Sequence, residues 1–325
     1  MKALTLAAGL LIATNVVAET PVLTIYTYDS FVSDWGPGPL VEKAFEAQCG
    51  CDLQFVATGD GASLLARLLL EGDRSEADVV LGLDTNLTAT AAKSGLFSPH
   101  SVSADYSLPI AWDDPVFVPY DWGYFAFVHN ATLAAPTDFR ALAASDLKVV
   151  IQDPRSSTPG LGLLMWVKAA YGDDAPEIWS ALSDNILTVT KGWSEAYGLF
   201  LSGEADMVLS YTTSPAYHLI AEEDAGKSAA LFTEGHYLQV EVAAKLKSAK
   251  HPDLADAFLQ FMVSDAFQDI IPTTNWMYPA VTTQQGLPDG FSTLIQPESA
   301  LLLSSDAAAN IRDEALQEWL AALSQ

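Results

Sequence analysis

Two cysteines, five histidines and 15 basic residues are the scarce chemistry of this 325-residue chain, and each scarcity excludes something. Cys49 and Cys51 are separated only by Gly50, with no His or further Cys nearby in sequence, so a thiolate metal site is not indicated. In an oxidising compartment the pair can close a small disulfide ring that Gly50 tolerates, or remain as free thiols; neither state implies catalysis. The histidines at 100, 129, 218, 236 and 251 show no metal-ligand spacing. With 15 Lys+Arg against 41 Asp+Glu the formal net charge is −26. Such a surface repels phosphate backbones and anionic headgroups, so nucleic acid is not an expected partner. No GxxxxGK phosphate loop, HExxH zinc helix or GxSxG nucleophile elbow occurs, which leaves catalysis unsupported and calls for no cofactor. Beyond residue 18 there is no apolar run of the ~18 residues a membrane-crossing helix requires.

What is present is ample apolar matter: 50% hydrophobic and 17% charged, with 20 Gly and 17 Pro. That is a globular composition, and 325 residues suffice for two lobes, each with its own core. The first residues combine Lys2 with an apolar run and end on Val16 and Ala18, small residues at the −3 and −1 positions before Glu19. This is the pattern of a cleavable export signal over residues 1–18, cut after Ala18. No Cys follows the cut, so no lipid anchor is expected, and the mature chain should be soluble and outside the cytoplasm.

Along the mature chain, β-branched and apolar runs alternate with helical spacing. Strands are expected at 21–28, 52–57 and 77–83, with helices at 39–48 and 63–71, a βαβαβ rhythm. A second unit opens with VVIQ from residue 149, continues into an apolar helix over 161–171, and includes the strand ADMVLS at 205–210 followed by a helix through His218. VFVPYDWGYFAFV (116–128) reads as an extended crossing between the units and YLQVEV (237–242) as the return; helices close the chain at 252–262 and 308–323, the last with Ile311, Leu316, Trp319, Leu320 and Leu323 on one face. Alternation of this kind implies α/β lobes, each a mainly parallel sheet flanked by helices, with ligand sites beyond the carboxyl ends of the strands. The crossings place 19–120 and 240–325 in the first lobe and 121–239 in the second, with a ligand cleft between them that can hinge shut.

The loops at those strand ends carry the candidate site. Tyr28 follows the first strand, Asp60 and Gly61 the second, and Asp84 the third. Trp35, Trp193, Tyr211, Tyr217 and Trp276 also fall in loops or at element ends, beside Gly, Pro, Ser and Asp. Aromatic planes of this sort take flat rings, and a positively charged ring gains a cation–π contribution of about 2 kcal/mol per desolvated face. Ser157 and Thr158 stand where a helix begins, as an anion cradle or as a plain cap before Pro159.

The stretches YTYDSFVSDWGPGP (26–39), ADVVLGLDTNL, QDPRSSTPGLGLL, TVTKGWSEAYGLFL, VLSYTTSPAYH and NWMYP resemble the periplasmic thiamine-binding proteins of bacterial ABC importers. The likeness covers nearly the whole mature chain; its departures lie at 101–105 and 286–297, away from these motifs. It implies the two-lobe class II periplasmic binding fold and a periplasmic, monomeric carrier, not an enzyme. Such a carrier binds thiamine, thiamine monophosphate or thiamine diphosphate and delivers them to a membrane permease coupled to an ATPase. The implied ligand contacts are Asp60, Gly61, Ser157, Thr158, Trp193, Tyr211, Thr212, Thr213 and Ser214, with Tyr28, Trp35, Tyr217 and Trp276 as aromatic walls. Two other readings stay open: the same fold holding a polyamine or a ferric ion, the latter through Tyr211, Tyr217 and His218, and a secreted hydrolase of thiamine or its phosphates.

Overall fold

In the computed structural model residues 20–324 are described, and the export signal expected over 1–18 lies outside them. Strands β1 (Val22–Thr27), β2 (Asp52–Ala57) and β3 (Val79–Asp84) alternate with helices α1 (Gly38–Cys49), α2 (Gly61–Glu71) and α3 (Thr88–Ser94). The long strand β4 (Val118–Asn130) leads to α4 (Phe139–Ala143), β5 (Val149–Gln152), α5 (Thr158–Tyr171), α6 (Ala175–Leu182), β6 (Ile186–Thr190), α7 (Trp193–Leu201), β7 (Met207–Tyr211), α8 (Pro215–Ala221) and β8 (Lys227–Ala229). After β9 (His236–Lys245) come α9 (Pro252–Phe261), α10 (Asp265–Gln268), α11 (Ile271–Thr274), β10 (Tyr278–Pro279), β11 (Ala300–Leu301) and α12 (Ser305–Leu323).

The strands form one mixed sheet in the order β2-β1-β3-β9-β4-β7-β5-β6. Both outer trios are parallel, β2-β1-β3 and β7-β5-β6, as their βαβ connections require. The crossings read from the sequence are the antiparallel centre. Residues 118–124 of β4 pair with β9, while residues 125–129 of the same strand pair with β7. β9 in turn pairs with β3, in register from Val79↔Lys245 to Asp84↔Glu241. Each half therefore adds an antiparallel member to its parallel trio.

The strands are apolar on both faces because helices cover both; every residue of β3 is buried. One core gathers Tyr26, Leu64, Leu83, Phe125, Phe127, Trp166 and Trp319 across both halves of the sheet, and a second packs Ile25, Val41, Phe45, Phe258 and Phe267 under α1 and α9. Helix α5 is apolar all round, with buried residues from Thr158 to Val167, and Gly162 lets it settle on Phe125, whose ring a Cβ would overlap. The last helix departs from the expected lobe boundaries: α12 packs mainly on α5 and α6, elements of 121–239, through Ala308, Ala315, Trp319 and Ala322. Small residues on that face let the helix axes approach, and the larger Ile311, Leu316, Leu320 and Leu323 flank it, half-buried. Cys49 and Cys51 are joined as a disulfide around Gly50, whose φ of 61° is the left-handed conformation that ends α1.

Gly82 lies tightly against Tyr28 beneath the cleft. It has φ 107° at the point where the β3–β9 register shifts, and a Cβ there would overlap the ring of Tyr28. Gly82→Ala combines a disfavoured backbone with overpacking and should cost about 3 kcal/mol, measured as a lower urea midpoint. An unchanged midpoint would mean that Tyr28 has room to move.

Candidate functional site

Loops after β1, β2, β5, β6 and β7, with the chain after α11, surround a cavity of about 290 Å³. Its lining includes Tyr28, Trp35, Asp60, Thr158, Trp193, Tyr211, Ser214, Tyr217 and Trp276, nine residues singled out from the sequence that are scattered over about 250 positions and meet here. The carboxyl ends of the parallel strands thus carry the cleft, as the α/β pattern requires.

Asp60 joins its walls. It is the residue before α2 in extended conformation, and its carboxylate Oδ2 accepts a hydrogen bond from Ser157 Oγ at 2.7 Å and from the backbone N–H of Trp193 at 3.1 Å. The starts of α2, α5 and α7 therefore meet on one carboxylate. Ser157 occupies the cap position of α5, yet its hydroxyl makes no cap bond and turns to Asp60 instead. Thr158 Oγ1 accepts from the N–H of Gly61 at 3.1 Å, so the α2 and α5 starts are tied twice. Burial raises the Asp60 carboxyl to about 6, against the opposing pull of the Ser157 and Trp193 bonds.

The aromatic residues form two groups. Trp193 stacks on Tyr197 with centroids 5.0 Å apart, anchors its indole N–H on Ser210 Oγ at 2.8 Å, and stands 6.2 Å from Trp35, which is 52% exposed at the rim. Ser210 and Ser214 share a hydroxyl bond of 2.7 Å, which fixes the anchor. In the second group Tyr217 and Trp276 meet edge to face at 5.4 Å, with His218 between Tyr217 and Tyr197. Trp276 has φ 56°, a backbone state that a bulky side chain adopts only under constraint; here its N–H is bonded to Ile271 O at 3.0 Å. Tyr211 stacks on Phe125 at 5.1 Å, and burial holds its hydroxyl far above the ordinary range.

The remaining four expected residues stand behind the lining. Gly61 and Ser157 hold the Asp60 junction; a Cβ at Gly61 would crowd Thr158 Oγ1 at 2.6 Å and Gly82 O at 2.7 Å. Thr212 and Thr213 are buried, the first with its N–H on Tyr124 O at 2.9 Å, the second beside Met277 Sδ at 3.6 Å. Sequence reasoning missed Glu241, Asn275, Tyr197 and Met277, all in the lining. Two had a legible signal: Glu241 is an acid inside the apolar strand YLQVEV, and Asn275 begins NWMYP. The proposed ferric set does not assemble, since His218 bonds Tyr197 Oη and Glu222 through its two ring nitrogens at 2.9 and 2.6 Å, and Tyr217 Oη donates to Glu222 at 3.0 Å. Among the described residues no cluster of three or more His, Cys, Asp or Glu is placed to hold a metal.

Residues 38–269 match the family described as bacterial extracellular solute-binding protein. The chain belongs to that family. It is 55% identical over 321 residues to a thiamine-binding periplasmic protein of Escherichia coli K12, covering 97% of this chain and 98% of the relative. It is 54% identical over 310 residues to one from Salmonella typhimurium, covering 94% of each. A solved periplasmic thiamin binding protein superposes with a TM-score of 0.92 at 55% identity, covering 94% of this chain and 97% of that one. The resemblance read from the motifs is therefore borne out, and so is the periplasmic binding protein fold. No helix among the described residues is long and apolar enough to cross a membrane.

The Asp60 junction sets a pH dependence. A carboxyl whose pKa is raised on folding contributes stability that is full below its unfolded value near 4 and lost as pH rises through about 6. Between pH 3 and pH 7 the wild-type protein should lose up to about 3 kcal/mol relative to Asp60→Asn, read from urea midpoints at each pH. A pH-independent difference between the two would contradict burial as the cause.

Proposed function

We propose that this protein is a periplasmic carrier that captures thiamine, thiamine monophosphate and thiamine diphosphate in the cleft and delivers them to an ABC importer's permease and ATPase. Binding, not catalysis, is its task, and it acts as a monomer after its signal is cut behind Ala18. The lobes 19–120 with 240–325 and 121–239, with the last helix α12 seated on the second, close on the ligand by hinging at the β4 and β9 crossings. One observation carries the reading above the others: aromatic side chains from distant parts of the chain, Trp35, Trp193, Tyr217 and Trp276, line one ring-sized cavity together with carboxylates. The 55% identity to a thiamine-binding periplasmic protein over nearly all of both chains supports the same ligand class.

Thiamine has two flat rings, one of which carries a fixed positive charge that no proton loss can cancel. Indole and phenol faces attract such a ring, and Asp60 and Glu241 bring carboxylates to the lining. Thr158, with Ser157 behind it, and the start of α5 take the hydroxyethyl or phosphate end, where N–H groups and the helix dipole favour an anion, and Asp60 is a polar contact of the cleft. Gly61, Ser157, Thr212 and Thr213 support this end from behind, and Tyr28, Tyr211 and Ser214 complete the wall. A nanomolar complex needs about 12 kcal/mol, of which two cation–π faces supply only about 4. Ring burial, hydrogen bonds and lobe closure provide the rest.

Calorimetry with thiamine and its two phosphates tests the reading, and heat from an unrelated solute alone would end it. Trp193→Ala should weaken thiamine binding by about 2 kcal/mol or more, as loss of a central aromatic anchor does. An unaltered dissociation constant would remove Trp193 from the site. Thiamine diphosphate should be recovered intact after incubation with the protein; its cleavage would favour the hydrolase.

A further inference from the structure

Beneath the aromatic walls the cleft ends on carboxyl groups. Sheet register sets Glu241 of β9 opposite Asp84 of β3 on one side and opposite Asp121 of β4 on the other. Asp84 and Asp121 are 0% exposed and Glu241 6%, and Glu241 alone of the three lines the cavity. Their hydrogen bonds leave one of the carboxyl oxygens without a donor among the described residues. Glu241 Oε2 accepts from the Tyr28 and Tyr120 hydroxyls, and its Oε1 accepts from Gln239 Nε2 at 2.8 Å. Asp84 is satisfied by the backbone and side-chain N–H groups of Asn86. Asp121 Oδ2 accepts from Asn275 Nδ2 at 2.6 Å, whereas its Oδ1 is buried with no donor among the described residues, beside Glu241 in the β4–β9 register. Two buried carboxyls set side by side repel one another when both are ionised, and a retained proton gives the pair the donor that Asp121 Oδ1 lacks.

The surroundings keep it there. The groups facing the pair from neighbouring elements are acids and phenols: Tyr28 after β1, Asp84 on β3, Tyr120 beside Asp121, and Tyr211 on β7. The Arg312 cation of α12 bears on Asp84 rather than on the pair. Burial, and then repulsion by Glu241, holds the Asp121 carboxyl well above the ordinary range, while burial raises Glu241 to about 7 with Asp84 adding to it, against the pull of the Tyr120 and Tyr28 hydroxyls.

We propose that Asp121 and Glu241 share one proton until a cationic ligand enters the cleft and expels it, leaving Glu241 as the ligand's counter-charge and making the pair the device that selects a cation over a neutral isostere. The O–H bond of the shared carboxyl breaks, the proton passes to solvent, and the ligand's positive charge replaces it, so charge is conserved in the pocket. This rests on the thiamine reading of the same cleft. It adds a residue pair and a discriminating principle to that reading: shape is read by the aromatic walls, charge by the acid floor.

Titration calorimetry with thiamine at pH 7, in two buffers of unlike ionisation enthalpy, counts protons released per ligand. Wild-type protein should release close to one, and its affinity should fall by up to about tenfold per pH unit on acidification. Asp121→Asn should abolish the release, whereas Asp60→Asn should retain it, since Asp60 is already mostly ionised at that pH. The neutral isostere 3-deazathiamine should bind at least tenfold more weakly and release none. Should Asp121→Asn fail to fold, the infrared band of a protonated carboxyl in wild-type protein should disappear on adding thiamine. Thiamine binding without proton release and with that band unchanged overturns the coupling but leaves the thiamine reading standing. Equal release with 3-deazathiamine also overturns it, because closure and not charge would then be the cause. Absence of thiamine binding at every pH overturns both.

Discussion

Strands β4 and β9 are long enough to serve two masters along their length, 13 and 10 residues respectively, and the cleft follows from that. While residues 118–124 of β4 bond β9, residues 125–129 bond β7, so a single uninterrupted strand spends its first half in one parallel group and its second half in the other. The carboxyl ends of β1, β2 and β3 are thereby brought to face those of β5, β6 and β7. Loops from both groups must then share one gap, and Asp60 bonded to Ser157 and Trp193 is what spans it. At Gly82, Gly61 and Gly162 the Tyr28 ring, Thr158 Oγ1 with Gly82 O, and the Phe125 ring already occupy the space a side chain would need.

The polar chemistry of the cleft runs against the ordinary preference for keeping acids in water. Asp60, Asp84, Asp121 and Glu241 are all held above their normal titration range by burial. Groups so disposed are poor stabilisers of the unliganded fold and good partners for a permanent cation, which supplies the charge the surroundings withhold. The aromatic anchors show the complementary economy. Trp193 is fixed by Ser210 and Tyr197, and Trp276 by a backbone conformation that its own side chain disfavours, so the faces are set in place before a ring arrives.

Much of this is legible in the sequence. The βαβαβ rhythm, both crossings and the loops bearing Tyr28, Asp60, Ser157, Trp193 and Tyr211 follow from local periodicity and turn chemistry, which are properties of short windows. The acid floor was not, because Asp121 and Glu241 become neighbours only through strand register between residues 120 apart. Roles within the cleft were only partly legible for the same reason. Ser157 reads as a cap and is one by position, but its hydroxyl serves a carboxylate 97 residues away. The placement of α12 was misread because its apolar residues fit any core; the small Ala308, Ala315 and Ala322 that decide which helices it touches carry little hydrophobic signal.

The Cys49–Cys51 ring closes around a single glycine at the end of α1. A loop that short restricts the denatured chain little, on the order of 1.5 kcal/mol, and it ties together no two elements that the hydrogen-bonded sheet does not already hold. Oxidation is therefore a local finishing step rather than a scaffold. Recombinant material made in a reducing cytosol, without passage through an oxidising compartment, keeps every long-range link on which its architecture relies.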